Sequence, residues 1–336
     1  MPFRARISAF VEKSRAFARR PGVRRTLAIV QYGLLACIVV YLVARLSKVG
    51  WGEVADALPT SPFFYLIFVI RYFALPLSEI PTYELVWRRP LWRYFSAFVR
   101  KRVYNFAVMG YSGEAFFTLW ARRTLDLSDK RILVGVKDNN LVSALVSNIA
   151  TALLVTALFF NGHLVDDLNA LPGSTILFAL AFISAASLAV AVIFFRRKII
   201  DLPKGVMAKL VAINGGRMAL MLALHAVLYW TAIPGPPLQA WFIFIALQLV
   251  LSRVPFVPNL DIVFLTAALH LASVVNVSEA EIAGMLVAEA GLAQIFNFAL
   301  FLATTHLALK QRAPVATGPF AVAKAPIRRS RTDRLS

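Results

Sequence analysis

Long apolar segments recur along the chain, separated by short polar connections. Eight of these stretches approach the roughly 20 apolar residues that a helix needs to cross the hydrocarbon core of a bilayer. They cover residues 27–46, 62–86, 132–160, 174–195, 210–232, 239–254, 258–275 and 281–308. Hydrophobic residues make up 59% of the chain, above the roughly 45–50% of soluble domains. We therefore predict an all-α polytopic membrane protein with about eight membrane segments.

Basic residues concentrate in alternate connections between these segments. One set of connections holds 30 of the 36 Lys and Arg residues, whereas the opposite set holds only Lys48. The first set is 1–25, 87–131, 196–209 and 310–336, and the second is 47–61, 161–173, 233–238 and 276–280. Because Lys and Arg accumulate in cytoplasmic loops, we predict a bacterial inner-membrane protein with both termini in the cytoplasm.

The predicted domain organisation is simple. Residues 1–25 form a basic cytoplasmic amphipathic segment, residues 26–309 a single transmembrane domain, and residues 310–336 a disordered basic cytoplasmic tail. The formal net charge of +19 predicts anionic lipid headgroups as partners. Nucleic acid is not expected, because the basic residues lie between apolar segments. The single cysteine excludes a disulfide framework and a Cys-based zinc site, and we predict no cofactor.

Glycine and proline interrupt several membrane segments. Pro76 and Pro81 predict a kink in the segment 62–86. Two broken or re-entrant regions are expected, near residues 105–120 and 252–264, and paired broken helices are typical of transporter substrate sites. The short segments 239–254 and 258–275 are compatible with two spans or with one re-entrant hairpin.

Charged residues within the apolar segments are the candidate functional groups. Each costs about 2.5–3.5 kcal/mol at the bilayer centre on insertion scales, so we expect them to face one another or a hydrated cavity open to the cytoplasm. They are Arg71, Glu79, Glu114, Lys137, Asp138, Arg217, Arg253, Asp261 and Glu289. The structural alternatives are snorkelling for Arg71 and Arg253, and a local ion pair for Lys137 and Asp138.

The stretch from Gly110 to Arg123, GYSGEAFFTLWARR, predicts a short helix that begins near Ser112. Ser112 would act as its N-cap and Glu114 would lie in its first turn, where the helix dipole favours an anion. Arg122 and Arg123 would lie near its last turn. The open N-terminus of such a half-helix can receive a phosphate oxygen.

The run from Asn105 to Asp138 resembles the flippase-like membrane domain of lysylphosphatidylglycerol synthases and its stand-alone relatives, which include proteins associated with lipid or hopanoid biosynthesis. The matching positions are Asn105, Gly110, Gly113, Glu114, Arg123 and Asp138. A second landmark of that family, P-x-x-P-G-G-x-G-x-x-E, is matched only by Pro255 and Pro258. Asn259, Leu260 and Ile262 stand at its glycines and Leu265 at its glutamate, and Phe117 replaces an arginine that usually follows the Gly-Glu pair.

The resemblance implies transport of a lipid or a lipid-linked intermediate. Arg122, Arg123 and Arg217 would contact phosphate, and Glu114 and Asp261 would gate the path or bind an amine or a proton. The substrate-path and headgroup-binding candidates are Asn105, Gly110, Gly113, Glu114, Arg122, Arg123, Lys137, Asp138, Arg217, Arg253, Asp261 and Glu289.

Other functions are compatible with parts of the sequence. One alternative is a non-catalytic scaffold that anchors a cytoplasmic lipid- or glycan-modifying enzyme, and another is an integral-membrane transferase. GYSG also matches the Gly-x-Ser-Gly of intramembrane serine proteases, with His225 or His270 as the base. Those histidines lack the closely spaced glycines that bring two membrane helices into contact, so a non-enzymatic function is favoured.

Overall fold

The computed structural model describes residues 50–107, 112–160, 200–253, 260–273 and 275–311, with isolated positions before residue 50. Within these ranges every regular element is a helix. The helices are α1 (Trp51–Asp56), α2 (Pro62–Trp87), α3 (Phe95–Ala107), α4 (Ser112–Thr124), α5 (Asp129–Phe160), α6 (Lys204–Ala232), α7 (Leu238–Leu251), α8 (Leu260–Leu271) and α9 (Glu279–Gln311). A 3₁₀ turn at Trp92–Tyr94 precedes α3.

Four of the described helices, α2, α5, α6 and α9, are long and apolar enough to cross a membrane. They confirm as helices the predicted segments 62–86, 132–160, 210–232 and 281–308. The predicted segment 174–195, nearly all of 27–46, the N-terminal segment 1–25 and the tail beyond residue 311 lie outside the described residues.

Helix α2 continues through both of its internal prolines. Proline lacks the N–H that would bond to the preceding turn. Two hydroxyl groups near these prolines donate to backbone carbonyls of the same helix: Ser78 Oγ to the Leu75 oxygen at 2.8 Å, and Thr82 Oγ1 to the Ser78 oxygen at 3.1 Å.

Contacts between side chains show the relative directions of the long helices. Along the contacts between α2 and α6 the residue numbers rise on one helix and fall on the other, so these two helices are antiparallel. Along the contacts between α5 and α6 the residue numbers rise on both helices, so these two helices are parallel. The contacts are Arg71–His225 and Glu79–Arg217 for α2 and α6, and Asn139–Asn214 and Ser143–Arg217 for α5 and α6.

Two apolar cores lie at opposite ends of the α2–α6 pair. One surrounds α7 and includes the N-terminal ends of α2 and α9. The other joins the C-terminal half of α2 to α3, α4 and the start of α5. Helix α7 is apolar apart from Gln239 and Gln248 and mostly buried, as expected for a helix enclosed by others.

Helices α7 and α8 are short. With 14 and 12 residues they measure about 21 and 18 Å, less than the roughly 30 Å hydrocarbon core. Together with the burial of α7, these lengths favour a re-entrant hairpin over two independent spans. Residues 254–259, which connect them, lie outside the described residues.

The connection 87–131, predicted to be a cytoplasmic loop with a half-helix, contains two helices. Helix α3 occupies the basic stretch around Lys101, and α4 folds back against it. This α3–α4 hairpin packs against α2, α5 and α9. It therefore brings residues counted as loop charges into the interior of the bundle.

Candidate functional site

Lys101 lies at the centre of a buried group of charges. Its side chain is 2% exposed, and its Nζ lies 2.7 Å from Glu79 Oε1 and 3.6 Å from Glu114 Oε1. An ammonium group buried to this extent needs compensation for lost hydration, which the two carboxylates supply. Lys101 therefore joins α2, α3 and α4 through charge.

Aromatic rings enclose the Lys101 ammonium. Its Nζ lies 5.2 Å from the ring centroid of Tyr83 and 5.4 Å from that of Phe117, both within cation–π range. Phe117 is fully buried and stacks on Trp87 and Trp120. The apolar core of the hairpin thus forms one wall of the charged site.

Asn105 orders the start of α4. Its Oδ1 accepts the N–H of Gly113 at 2.8 Å, and its Nδ2 donates to Glu114 Oε1 at 3.2 Å. The prediction that Glu114 lies in the first turn of α4, with Arg122 and Arg123 in the last, is confirmed. The prediction that Ser112 caps α4 was wrong. The Ser112 hydroxyl donates to the Tyr104 carbonyl at 2.6 Å, and Asn105 Oδ1 on the neighbouring helix accepts the Gly113 N–H.

Arg217 of α6 completes the group from the opposite side. Its Nη1 lies 3.9 Å from Glu79 Oε1, and its Nη2 donates to Ser143 Oγ and to Asn214 Oδ1, each at 2.6 Å. We call Glu79, Lys101, Glu114 and Arg217 the charged cluster. Two carboxylates and two cations make it formally neutral, and they come from the long helices α2 and α6 and the shorter helices α3 and α4.

A second polar group lies farther along the same helices. Arg71 Nη1 donates to Glu289 Oε1 at 2.5 Å, and Arg71 Nη2 lies 3.1 Å from His225 Nδ1. These three residues line a cavity of about 590 Å³, to which α2, α3, α5, α6, α7, α8 and α9 contribute side chains. Snorkelling, the structural alternative for Arg71, is therefore not observed.

Lys137 and Asp138 lie outside both groups. Asp138 is fully buried, and its Oδ2 accepts the backbone N–H groups of Asp201 and Leu202 at 2.9 and 3.0 Å. Lys137 Nζ lies 2.5 Å from Asp201 Oδ2 and 3.2 Å from Asp138 Oδ1. The hydrogen bond and charge of Lys137 lower the pKa of the Asp201 carboxyl. These hydrogen bonds and ion pairs connect α5 to the segment that precedes α6.

The remaining candidates do not join the charged cluster. Arg122 and Arg123 are exposed or nearly so, and Arg122 Nε lies 3.2 Å from Asp129 Oδ1. Arg253 donates to the hydroxyl groups of Ser147 and Thr151. Gly110 and the side chain of Asp261 lie outside the described residues.

The arrangement gives the protease hypothesis no support. The Ser112 hydroxyl donates to a backbone carbonyl, whereas His225 contacts Arg71 and Glu289. A serine nucleophile needs a base within hydrogen-bonding reach. Among the described residues there is also no group of His, Cys, Asp and Glu that could hold a metal ion.

Sequence reasoning missed several residues of the two polar groups. Lys101 was counted as a loop charge because it lies in a basic run, and His225 was considered only as a catalytic base. Asn214 and Tyr83 gave no signal beyond being polar residues in apolar segments. An asparagine or histidine inside a membrane helix is itself a hint of an internal polar contact, since lipid offers it no partner.

No family model matches the sequence, and neither a curated protein nor a solved structure matches it.

Proposed function

We propose that this protein moves a lipid or a lipid-linked intermediate across the bacterial inner membrane. The observation that carries the proposal is the charged cluster: residues far apart in the chain converge in one interior group. Each charge costs free energy to bury, and an apolar core of similar volume is often as stable as a buried ion-pair network. A role beyond stability therefore accounts best for four such residues in one place.

A second level of charge supports a path along the bundle interior. Arg71 and Glu79 are eight residues apart on α2, and Arg217 and His225 are eight residues apart on α6. Eight helical residues rise about 12 Å, so the Arg71–His225 group and the charged cluster lie about that far apart along the helix axes. A headgroup crossing the bilayer could exchange contacts between two such levels.

The relative directions of the helices support the proposed topology of eight membrane segments with both termini in the cytoplasm. That topology requires α2 to run opposite to α5 and α6, as their contacts indicate. It puts the charged cluster nearer the cytoplasm and the Arg71–His225 group nearer the outer face. The exposed basic residues around α4 would then meet anionic lipid on the cytoplasmic side.

The resemblance to flippase-like domains adds a further argument. Three of its positions, Asn105, Gly113 and Glu114, contact one another at the α3–α4 junction. Phe117 stands where the family usually has an arginine, and Lys101 supplies a cation 5.4 Å from its ring. We infer that Lys101 takes the place of the missing arginine.

The proposal is tested by lipid movement in vesicles. The full chain is reconstituted into phosphatidylcholine vesicles with a trace of fluorescent phosphatidylglycerol, and dithionite quenching reports the lipid that reaches the outer leaflet. The assay is run with and without an imposed pH gradient, so that movement driven by protons is also detected. Glu114→Gln keeps the shape of the side chain but removes its charge, and we expect it to lower the rate about ten-fold or more.

Glu53→Gln is the matched control, since Glu53 is exposed on α1. It should leave the rate unchanged. If vesicles with the wild-type protein move no more lipid than protein-free vesicles under either condition, the transport proposal is contradicted and the scaffold or transferase alternative is favoured. If Glu114→Gln moves lipid as fast as the wild type, the charged cluster is not part of the path.

A further inference from the structure

Arg71, His225 and Glu289 join the helices α2, α6 and α9, and they are the three residues of the Arg71–His225 group. Arg71 Nη1 donates to Glu289 Oε1 at 2.5 Å, and Arg71 Nη2 lies 3.1 Å from His225 Nδ1. The other ring nitrogen of His225, Nε2, lies 3.7 Å from the same Glu289 oxygen. His225 is only 5% exposed. A guanidinium, an imidazole and a carboxylate therefore contact one another inside the bundle.

The contact with Arg71 determines which nitrogen of His225 carries a proton. A guanidinium has only N–H donors, so the Nδ1 atom that faces it is the acceptor and carries no proton. The neutral ring then has its proton on Nε2, the nitrogen that faces Glu289. One guanidinium thus occupies both of the acceptors in the group, the imidazole nitrogen and the carboxylate oxygen.

A proton that enters this group competes with the guanidinium. If the proton binds Nδ1 of His225, an N–H donor replaces the acceptor that faces Arg71 Nη2, and two cations come into contact. If the proton binds Glu289, the carboxylate loses the charge that holds Arg71 Nη1. Proton uptake at either residue therefore displaces Arg71, and the two residues titrate as a pair.

The titratable and charged groups that contact His225 or line its cavity come from α2, α3, α6 and α9. They are Arg71, Tyr72, Arg102, Tyr229 and Glu289. The described lining residues from α5, α7 and α8 are uncharged. Arginine does not lose its proton in proteins, and tyrosine keeps its own near neutral pH. Within the described lining, His225 and Glu289 are therefore the groups that can take up a proton.

The cavity provides polar surroundings through which a proton can reach the group. Its volume is about 590 Å³, and a water molecule occupies about 30 Å³ in the liquid, so a chain of water molecules fits. Ser147, Gln248, Gln294 and Asn297 line it with groups that hydrogen-bond water. Histidine and glutamate in such positions are typical of proton pathways in pumps and transporters.

We propose that the Arg71–His225 group is a proton-binding site, in which a proton taken up by His225 and Glu289 displaces the Arg71 guanidinium. The proton is later released unchanged, so no other bond is made or broken. Its uptake removes the ionic contact of α2 with α6 and α9 at this level, and it thereby acts on the packing of membrane helices. The inference rests on the proposed function, because it makes the proton gradient the driving force for lipid movement.

Nitrogen NMR of the histidine rings tests proton binding without any lipid movement. The full chain, with isotope-labelled histidine, is kept in a non-ionic detergent and measured from about pH 8 to about pH 5. The signals of His225 are those missing from the spectrum of His225→Asn. In the wild type at the upper end of this range we expect a neutral ring with its proton on Nε2. In Arg71→Gln, His225 should carry two ring protons at a pH at which the wild-type ring carries one.

Lipid movement shows whether the bound proton drives transport. In the vesicle assay, a gradient of about one pH unit should raise the wild-type rate about five-fold, since it is a ten-fold ratio of proton activity. His225→Asn keeps an oxygen that can accept from Arg71 but takes up no proton, and it should bring the ratio of rates with and without the gradient to about one. His270→Asn on α8, outside the lining of the cavity, should keep the wild-type ratio.

The outcomes separate this inference from transport. A ring proton on Nδ1 in the wild type, or the same titration of His225 with and without Arg71, would overturn the proton site. The tautomer and the His225→Asn ratio decide the matter even if Arg71→Gln fails to fold. Lipid movement that ignores the gradient, or responds equally in His225→Asn, would overturn this inference alone. If no lipid moves, transport is contradicted and the ring signals still decide on the proton site.

Discussion

Arg100, Lys101 and Arg102 are three consecutive basic residues with three different environments. The Arg100 guanidinium lies near the rings of Tyr104 and Phe116, Lys101 enters the charged cluster, and Arg102 lies over Tyr72. Successive residues of a helix point about 100° apart, so a basic run on a helix enclosed by others must send its charges to different partners. The run is therefore not a uniform basic surface.

Removal of the Lys101 charge should destabilise the protein strongly. Lys101→Met leaves Glu79 and Glu114 buried without their shared cation, and breaking one side of a buried pair costs about 3–5 kcal/mol. The free energy of unfolding in mixed micelles, from titration with dodecyl sulfate, measures the loss. Lys130→Met, at an exposed site, should change it by less than about 0.5 kcal/mol.

A double variant checks the assignment to charge. Lys101→Met combined with Glu79→Gln should recover part of the lost stability, because one unpaired carboxylate has been neutralised. Strictly additive losses would contradict the ion pair as the cause.

At the scale of elements, the α3–α4 hairpin depends on a close approach of two backbones. A Cβ on Gly113 would lie 2.1 Å from the Lys101 carbonyl oxygen and 2.7 Å from the Asn105 side chain. Only a residue without a side chain permits this distance. The same contact lets Asn105 reach both the amide of Gly113 and the carboxylate of Glu114, so the packing of the hairpin and the geometry of the cluster are one feature.

Gly113→Ala should separate the two helices and lower stability by about 1–3 kcal/mol, the usual cost of overpacking. Gly216→Ala on α6 is the matched control, because nothing lies within 4 Å of its added Cβ. It should leave stability unchanged or raise it by up to about 1 kcal/mol through helix propensity. Unfolding in mixed micelles compares them, and similar losses for both variants would contradict the close-approach argument.

At the scale of the whole molecule, two apolar cores hold the ends of the bundle and two polar groups lie along its length. Helices α2 and α6 contribute to all four, which makes this antiparallel pair the axis of the structure. The arrangement keeps charges in the interior and leaves large apolar side chains such as Ile295, Phe298 and Leu302 exposed on α9. A hydrocarbon surround explains that surface, since lipid is as apolar as those side chains.

The proposed orientation predicts which residues are accessible from outside the cell. In a Cys37→Ser background, Glu53→Cys should react with a membrane-impermeant maleimide applied to spheroplasts. Arg123→Cys should react only after lysis, because the positive-inside rule puts it in the cytoplasm. Both positions are exposed, so reactivity reports the side of the membrane. The reverse pattern, or equal labelling of both before lysis, would contradict the topology.

The local pattern of residues determined the helical class, the positions of the long helices and the ends of α4. Hydrophobic length and the preference of charges for helix ends act within a few turns of the chain, so they can be evaluated from neighbouring residues alone. The tertiary structure decided which charges meet. Arg71 and Glu289 are 218 positions apart, and Arg217 on α6 meets Glu79 on α2, and nothing local distinguishes these pairs from other combinations. Partners are chosen by helix packing and rotation, which depend on the whole bundle at once.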